Sequence, residues 1–137
     1  MALALAWTLT SAANPVGRLE VDLAGVRSAK GLVRICLTAD PAAFPACHKD
    51  ARAVRRNIPA GTRSVTLEGL APGTYALAVM HDENANHRLD TFAGIPREGF
   101  GFSRNPAIGF GPPRFAAARF ETAGEATTQQ VRLHYIL

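Results

Sequence analysis

The chain has 137 residues, 47% of them hydrophobic and 19% charged, enough for one globular core and too short for two ordinary domains. Its 15 Lys and Arg against 11 Asp and Glu give a net charge of +4, but the arginines are scattered singly from Arg18 to Arg132 and only Arg52, Arg55 and Arg56 cluster. Such dispersion argues against a nucleic-acid partner, whose binders concentrate charge on one face; the cluster is either a small patch for phosphate, nucleic acid or lipid head groups or a solvated basic surface.

The first element is a short apolar run, Met1 to Leu9, followed by the small residues Ser11, Ala12 and Ala13. It reads as an export signal over residues 1–13, although no Lys or Arg precedes Arg18, and the expected mature domain is 14–137. The run is too short to span a bilayer, and no later segment approaches the roughly 20 apolar residues that spanning needs, so no transmembrane segment is expected. The predicted destination is the periplasm or the medium.

Beyond it the periodicity is two. Leu19, Val21 and Leu23 alternate with Arg18, Glu20 and Asp22 as in a half-buried strand ending at Gly25. After a turn at Ser28 to Gly31, Leu32 to Leu37 puts Val33, Ile35 and Leu37 on one face and Arg34 and Cys36 on the other. Cys36 and Cys47 are separated by Asp40-Pro41 and Phe44-Pro45, which can double the chain back and bring the sulfurs together in an oxidising compartment. Two unrelated thiols, or a catalytic Cys47 activated by His48, are the other readings.

Further strands are predicted at Val54 to Ile58, Ser64 to Leu67, and Thr74 to His81, the last entered through the Pro72-Gly73 turn. In that run Tyr75, Leu77, Val79 and His81 share one face and Ala76, Ala78 and Met80 the other, the two-sided apolar pattern of a central strand. Arg114 to Glu121 and Thr127 to Tyr135 read as two more, and the helical candidate is a turn or two within Cys47 to Arg56. About seven short strands predict an all-β fold, a single antiparallel sandwich.

The central strand delivers His81-Asp-Glu-Asn-Ala-Asn-His-Arg-Leu-Asp90 to one end of the sandwich. Asp82, Asn84, Asn86, the Arg88 carbonyl and Asp90 recur at the first, third, fifth, seventh and ninth positions, the spacing with which a tight loop wraps calcium. The same short side chains also cap their own backbone amides without any ion. His81 is either a ligand or a hydrogen-bonded rim residue that ties the loop down. His48, His81, His87 and His134 match no zinc spacing.

Between Gly94 and Phe115 the chain alternates phenylalanines with glycines and prolines and reads as a long loop without regular structure. Phe100, Phe102 and Phe110 form either an aromatic surface for glycan or peptide or a lid that closes one end of the sandwich. Ser64 and Ser103 lie in no nucleophile-elbow pattern, and no carboxylate pair is recognisable by spacing, so enzymatic activity is less expected than its absence. Its strongest form is a metal-dependent hydrolase using His81, Asp82 and Glu83.

Five segments carry a resemblance: Gly31-Leu-Val-Arg-Ile-Cys-Leu, Leu70-Ala-Pro-Gly-Thr-Tyr-Ala, His81-Asp-Glu-Asn with Leu89-Asp90, Gly94-Ile-Pro-Arg-Glu-Gly-Phe-Gly-Phe-Ser, and Phe110-Gly-Pro-Pro-Arg-Phe. In this order they resemble a bacterial family of exported proteins, domain of unknown function 2141. The resemblance implies an exported β-sandwich of immunoglobulin-like or prealbumin-like style and no particular activity, substrate or partner. Where the family's loop has glycines, this chain has Ala85 and His87, and the twelfth position from Asp82 is Ala93 rather than a carboxylate. A positive φ at His87 costs of order 1 kcal/mol. The expectation is therefore an envelope module of binding or structural role, with at most a weak calcium site at Asp82, Asn84, Asn86, Arg88 and Asp90 and an unidentified envelope or extracellular ligand.

Overall fold

The computed structural model describes residues 16–87, 91–92, 95–109 and 111–137; the predicted export signal, Arg88, Asp90 and Phe110 lie outside them. Its strands are β1 (Gly17–Ala24), β2 (Leu32–Thr38), β3 (Val54–Pro59), β4 (Ser64–Leu70), β5 (Gly73–Asp82), β6 (Thr91–Phe92), β7 (Ile95–Pro96), β8 (Gly99–Phe102), β9 (Phe120–Thr122) and β10 (Ala126–Arg132). One sheet runs β10-β1-β4; the other runs β3-β2-β5-β8, with β9 also on β5, and β6 pairs with β7. The fold is all-β and its pairings are antiparallel except β1 with β10, which is parallel.

The core lies between the two sheets because period-two alternation sends alternate residues of each strand inward. Leu19 and Val21 of β1, Val33, Ile35 and Leu37 of β2, Leu67 of β4, Leu77 and Val79 of β5 and Val131 of β10 make one buried cluster. β5 is central, and its other face is apolar too: Ala76 and Ala78 join Phe102 and Ala118 in a second cluster with Phe44, Ile108 and Phe115 packed on it. Cys36 lies on this outer face, and its disulfide to the buried Cys47 fixes the 39–53 segment there, Cα to Cα 6.1 Å.

Three expectations are corrected. The segment after residue 94 is no structureless loop, since Gly99–Phe102 is a strand paired to β5. Its glycines face the C-terminal segment: a Cβ on Gly99 would lie 2.5 Å from Tyr135 Cε1, and one on Gly101 2.6 Å from the Arg132 carbonyl oxygen. Its phenylalanines therefore face outward, so glycine on one face and aromatics on the other is a strand pattern without the usual inward apolar residues. Arg114 to Glu121 is not one strand but a helical turn, α1 (Phe115–Ala118), followed by β9, because the run of three alanines after Phe115 prefers helix to sheet. The helical candidate at 47–56 is a set of turns leading into β3.

β8 and β9 share one edge of β5, and Ser103 fills the gap between them. Its amide donates to the Leu77 carbonyl at 2.9 Å, its hydroxyl accepts the Leu77 amide at 2.9 Å, and the hydroxyl donates to the Ala118 carbonyl at 2.5 Å. Beyond β8, Phe100 and His134 exchange backbone hydrogen bonds of 3.1 and 2.8 Å, and the Asn105 side chain bonds the Gln130 carbonyl and the Arg132 amide. One seam of the sandwich is closed by these bonds.

Candidate functional site

His81 and Asp82 end β5 and, as neighbours on a strand, point to opposite faces; both are fully buried. On the inner side the His81 ring meets Tyr135 edge-on. Its Nε2 lies 2.8 Å from the Lys30 carbonyl, which can only accept, so that nitrogen carries the proton and donates. Nδ1 is then the acceptor of the Tyr135 hydroxyl at 2.7 Å. The same hydroxyl accepts the Arg27 amide at 3.1 Å, and the Arg27 guanidinium sits 4.4 Å over the Tyr135 ring. Burial raises the Tyr135 phenol above its ordinary pKa, opposed by the Arg27 amide.

Glu83 continues this cluster. It forms an ion pair with Arg27 and accepts the Ser28 hydroxyl at 3.0 Å. The Arg27 hydrogen bond holds the Glu83 carboxyl below the ordinary carboxylate value, against partial desolvation that pushes it up. Arg27 also donates to the carbonyls of Leu137 and Arg97 at 2.8 and 3.2 Å. Gly31, at φ +70°, brings the β1–β2 turn so close to β5 that a Cβ would meet the Glu83 carbonyl carbon at 2.6 Å. Strand end, turn and C terminus are thus fastened at one place.

On the outer side Asp82 organises the loop that follows. Its carboxylate accepts the Asn86 amide at 3.1 Å and the His87 amide at 2.7 Å, and Asn84 Oδ1 accepts the Asn86 amide at 3.3 Å. Ala85 and His87 have φ of 53° and 61°. The left-handed turns that glycines would make easily are made here by residues with a Cβ, at the two positions singled out from the sequence. Capping is the role the geometry gives Asp82. Arg88 and Asp90 lie outside the described residues.

The three side chains a metal-dependent hydrolase would use are therefore engaged within the protein: both ring nitrogens of His81, both oxygens of Asp82, and Glu83 by Arg27 and Ser28. Cys47 is in a disulfide, which removes the thiol nucleophile. Phe102 is buried, with Phe44 against it edge-on at 5.8 Å and Phe115 against Phe44 at 6.1 Å; Phe100 is half-buried beside His134. The Arg52, Arg55 and Arg56 cluster lies on and before the edge strand β3, where Arg55 donates to the Cys47 carbonyl. Asp50 nearby is held below its ordinary value mainly by the Thr38 hydroxyl.

The pairing of Arg27 with Tyr135 escaped the sequence reading because 108 residues separate them and no motif spacing links the two. Among the described residues no helix is long and apolar enough to cross a membrane. No curated protein and no solved structure matches the chain. A family model matches residues 21–130, which hold β1 from Val21 through most of β10 and with them the His81 cluster, the Asp82 loop and the Gly99–Phe102 strand. The chain belongs to the family described as uncharacterized proteins conserved in bacteria, domain of unknown function 2141.

Proposed function

We propose that this protein is an exported binding module of the bacterial envelope, periplasmic or secreted, rather than an enzyme. The observation that carries the reading is the Cys36–Cys47 disulfide. Such bonds persist in oxidising compartments and are rare in the reducing cytosol. The apolar run and small residues before Asn14 support the same destination. The clasp around His81 supports a rigid scaffold, since its titratable groups are spent on holding the fold together.

The Asp82 loop belongs to that scaffold: the carboxylate caps the Asn86 and His87 amides, which supports a loop that needs no ion and for which calcium at millimolar concentration is at most a weak further ligand. The packed aromatic rings support a lid over the sheet rather than a platform for glycan or peptide. The test is a fusion of the full chain to a reporter enzyme that folds only after export. Activity of the fusion in whole cells is expected; an inactive fusion with the protein retained in the cytosol overturns the reading.

A further inference from the structure

The outer face of the larger sheet carries one row beside the packed aromatic cluster, which it meets at Phe100. Strand register places Asn57 of β3, Arg34 of β2, Met80 of β5 and Phe100 of β8 side by side, and the Phe100 bridge to His134 extends the row. Directly paired residues of antiparallel strands share a face, and the inward positions on either side of Arg34 and next to Met80 are Val33, Ile35 and Val79, so this row points outward. Phe44, Phe102, Phe115 and Ala118 pack together on the neighbouring, disulfide-bearing half of the face. Arg34, Met80, Phe100 and His134 are each half-buried.

Arg34 is the anomaly. Its Nε is shielded from solvent and has no hydrogen-bond partner. That nitrogen, with Met80 paired to Arg34 on the neighbouring strand, lacks the acceptor that would offset its desolvation. An anion brought in from outside would supply one, and a planar carboxylate matches the guanidinium fork.

What accompanies that carboxylate follows from the strands beneath. β2 and β5 are each paired on both sides, so their backbone amides in this row are taken. A peptide laid across them would bury its own amides without partners, whereas an alkyl chain has none to satisfy. From Arg34 to Phe100 is two strand spacings, roughly 10 Å, and from Arg34 to His134 three, roughly 14 Å. Met80 and Phe100 supply the apolar floor between.

Resting on the reading of the protein as a binding module, we infer that its ligand is an amphiphilic carboxylate of the fatty-acid class, with the carboxylate on Arg34 and the alkyl chain along Met80 and Phe100 toward His134. The experiment is titration of the purified, oxidised full chain with decanoate, and with decanol as the probe lacking the charge, by calorimetry and by following the Arg34 Nε–H resonance. Saturable decanoate binding, at least tenfold weaker for decanol, with the Nε–H resonance shifting on binding, is expected.

Arg34→Gln should weaken decanoate tenfold or more while the melting temperature stays close to that of the wild type. Absence of saturable binding, equal affinity for decanol, an unmoved Nε–H resonance or full affinity in a folded Arg34→Gln would each overturn the inference. The resonance is read on the wild type, so the test stands even if the variant fails to fold. None of it depends on where the cell places the protein, so failure of the ligand and failure of export are separately visible.

Discussion

The Tyr135 hydroxyl donates to Nδ1 of the fully buried His81 at 2.7 Å, joining the end of the central strand to the last residues of the chain. Replacing it leaves a buried acceptor without a donor, which costs about 1–3 kcal/mol. Tyr135→Phe should destabilise by that amount in urea unfolding, through a lower midpoint at unchanged slope. A Cβ at Gly99 would press on the same ring at 2.5 Å, and Gly99→Ala should cost about 1–3 kcal/mol by overpacking.

Acid stability should carry the signature of Glu83. Its carboxyl is held below the ordinary 4.5, chiefly by Arg27, so its contribution is present above 4.5 and lost as pH falls through the lowered value. Thermal melts of the wild type and Glu83→Gln should differ at neutral pH and converge in acid. Tyr135 behaves in the opposite sense: its pKa is raised above 10.0, so its contribution is present below 10.0 and lost as pH rises through the raised value. Tyr135→Phe should lack that alkaline loss.

Ala85 and His87 hold positive φ at 53° and 61°. Glycine adopts that region without a Cβ clash, so Ala85→Gly and His87→Gly should each stabilise by up to about 1 kcal/mol despite the looser unfolded chain. Asp82→Ala removes the acceptor of two loop amides and should cost about 1–3 kcal/mol in the same assay.

The Asp82 cap predicts that chelation of divalent ions leaves the melting temperature unchanged. A fall of several degrees in a chelator, restored by calcium, would instead give the ion a structural place in the loop.

How far the chain is legible follows from where its information is local. β1, β2 and β5 are visible because their alternation is dictated by burial on one face or both, and the left-handed His87 because the sixth loop position demands a sharp turn, whereas Ala85 stands out only by the family resemblance. Gly99–Phe102 was hidden because the C-terminal segment needs glycine beneath it, which erases the apolar half of the pattern. The clasp of Arg27, Glu83 and Tyr135 was hidden because it is assembled from three distant segments and leaves no spacing to read. The Arg34 row exists only in the register between strands.

The disulfide closes a separation of 11 residues. On the chain-entropy model it stabilises by about 2–3 kcal/mol, and Cys36→Ser with Cys47→Ser should lose that much in unfolding measured without reductant.

The most direct measurement of the central claim is thiol trapping in living cells of a native bacterial host, followed by fractionation. The account predicts the protein in the periplasmic or secreted fraction with Cys36 and Cys47 protected from alkylation until a reductant is added. Cytosolic protein with both thiols alkylated at once would contradict it.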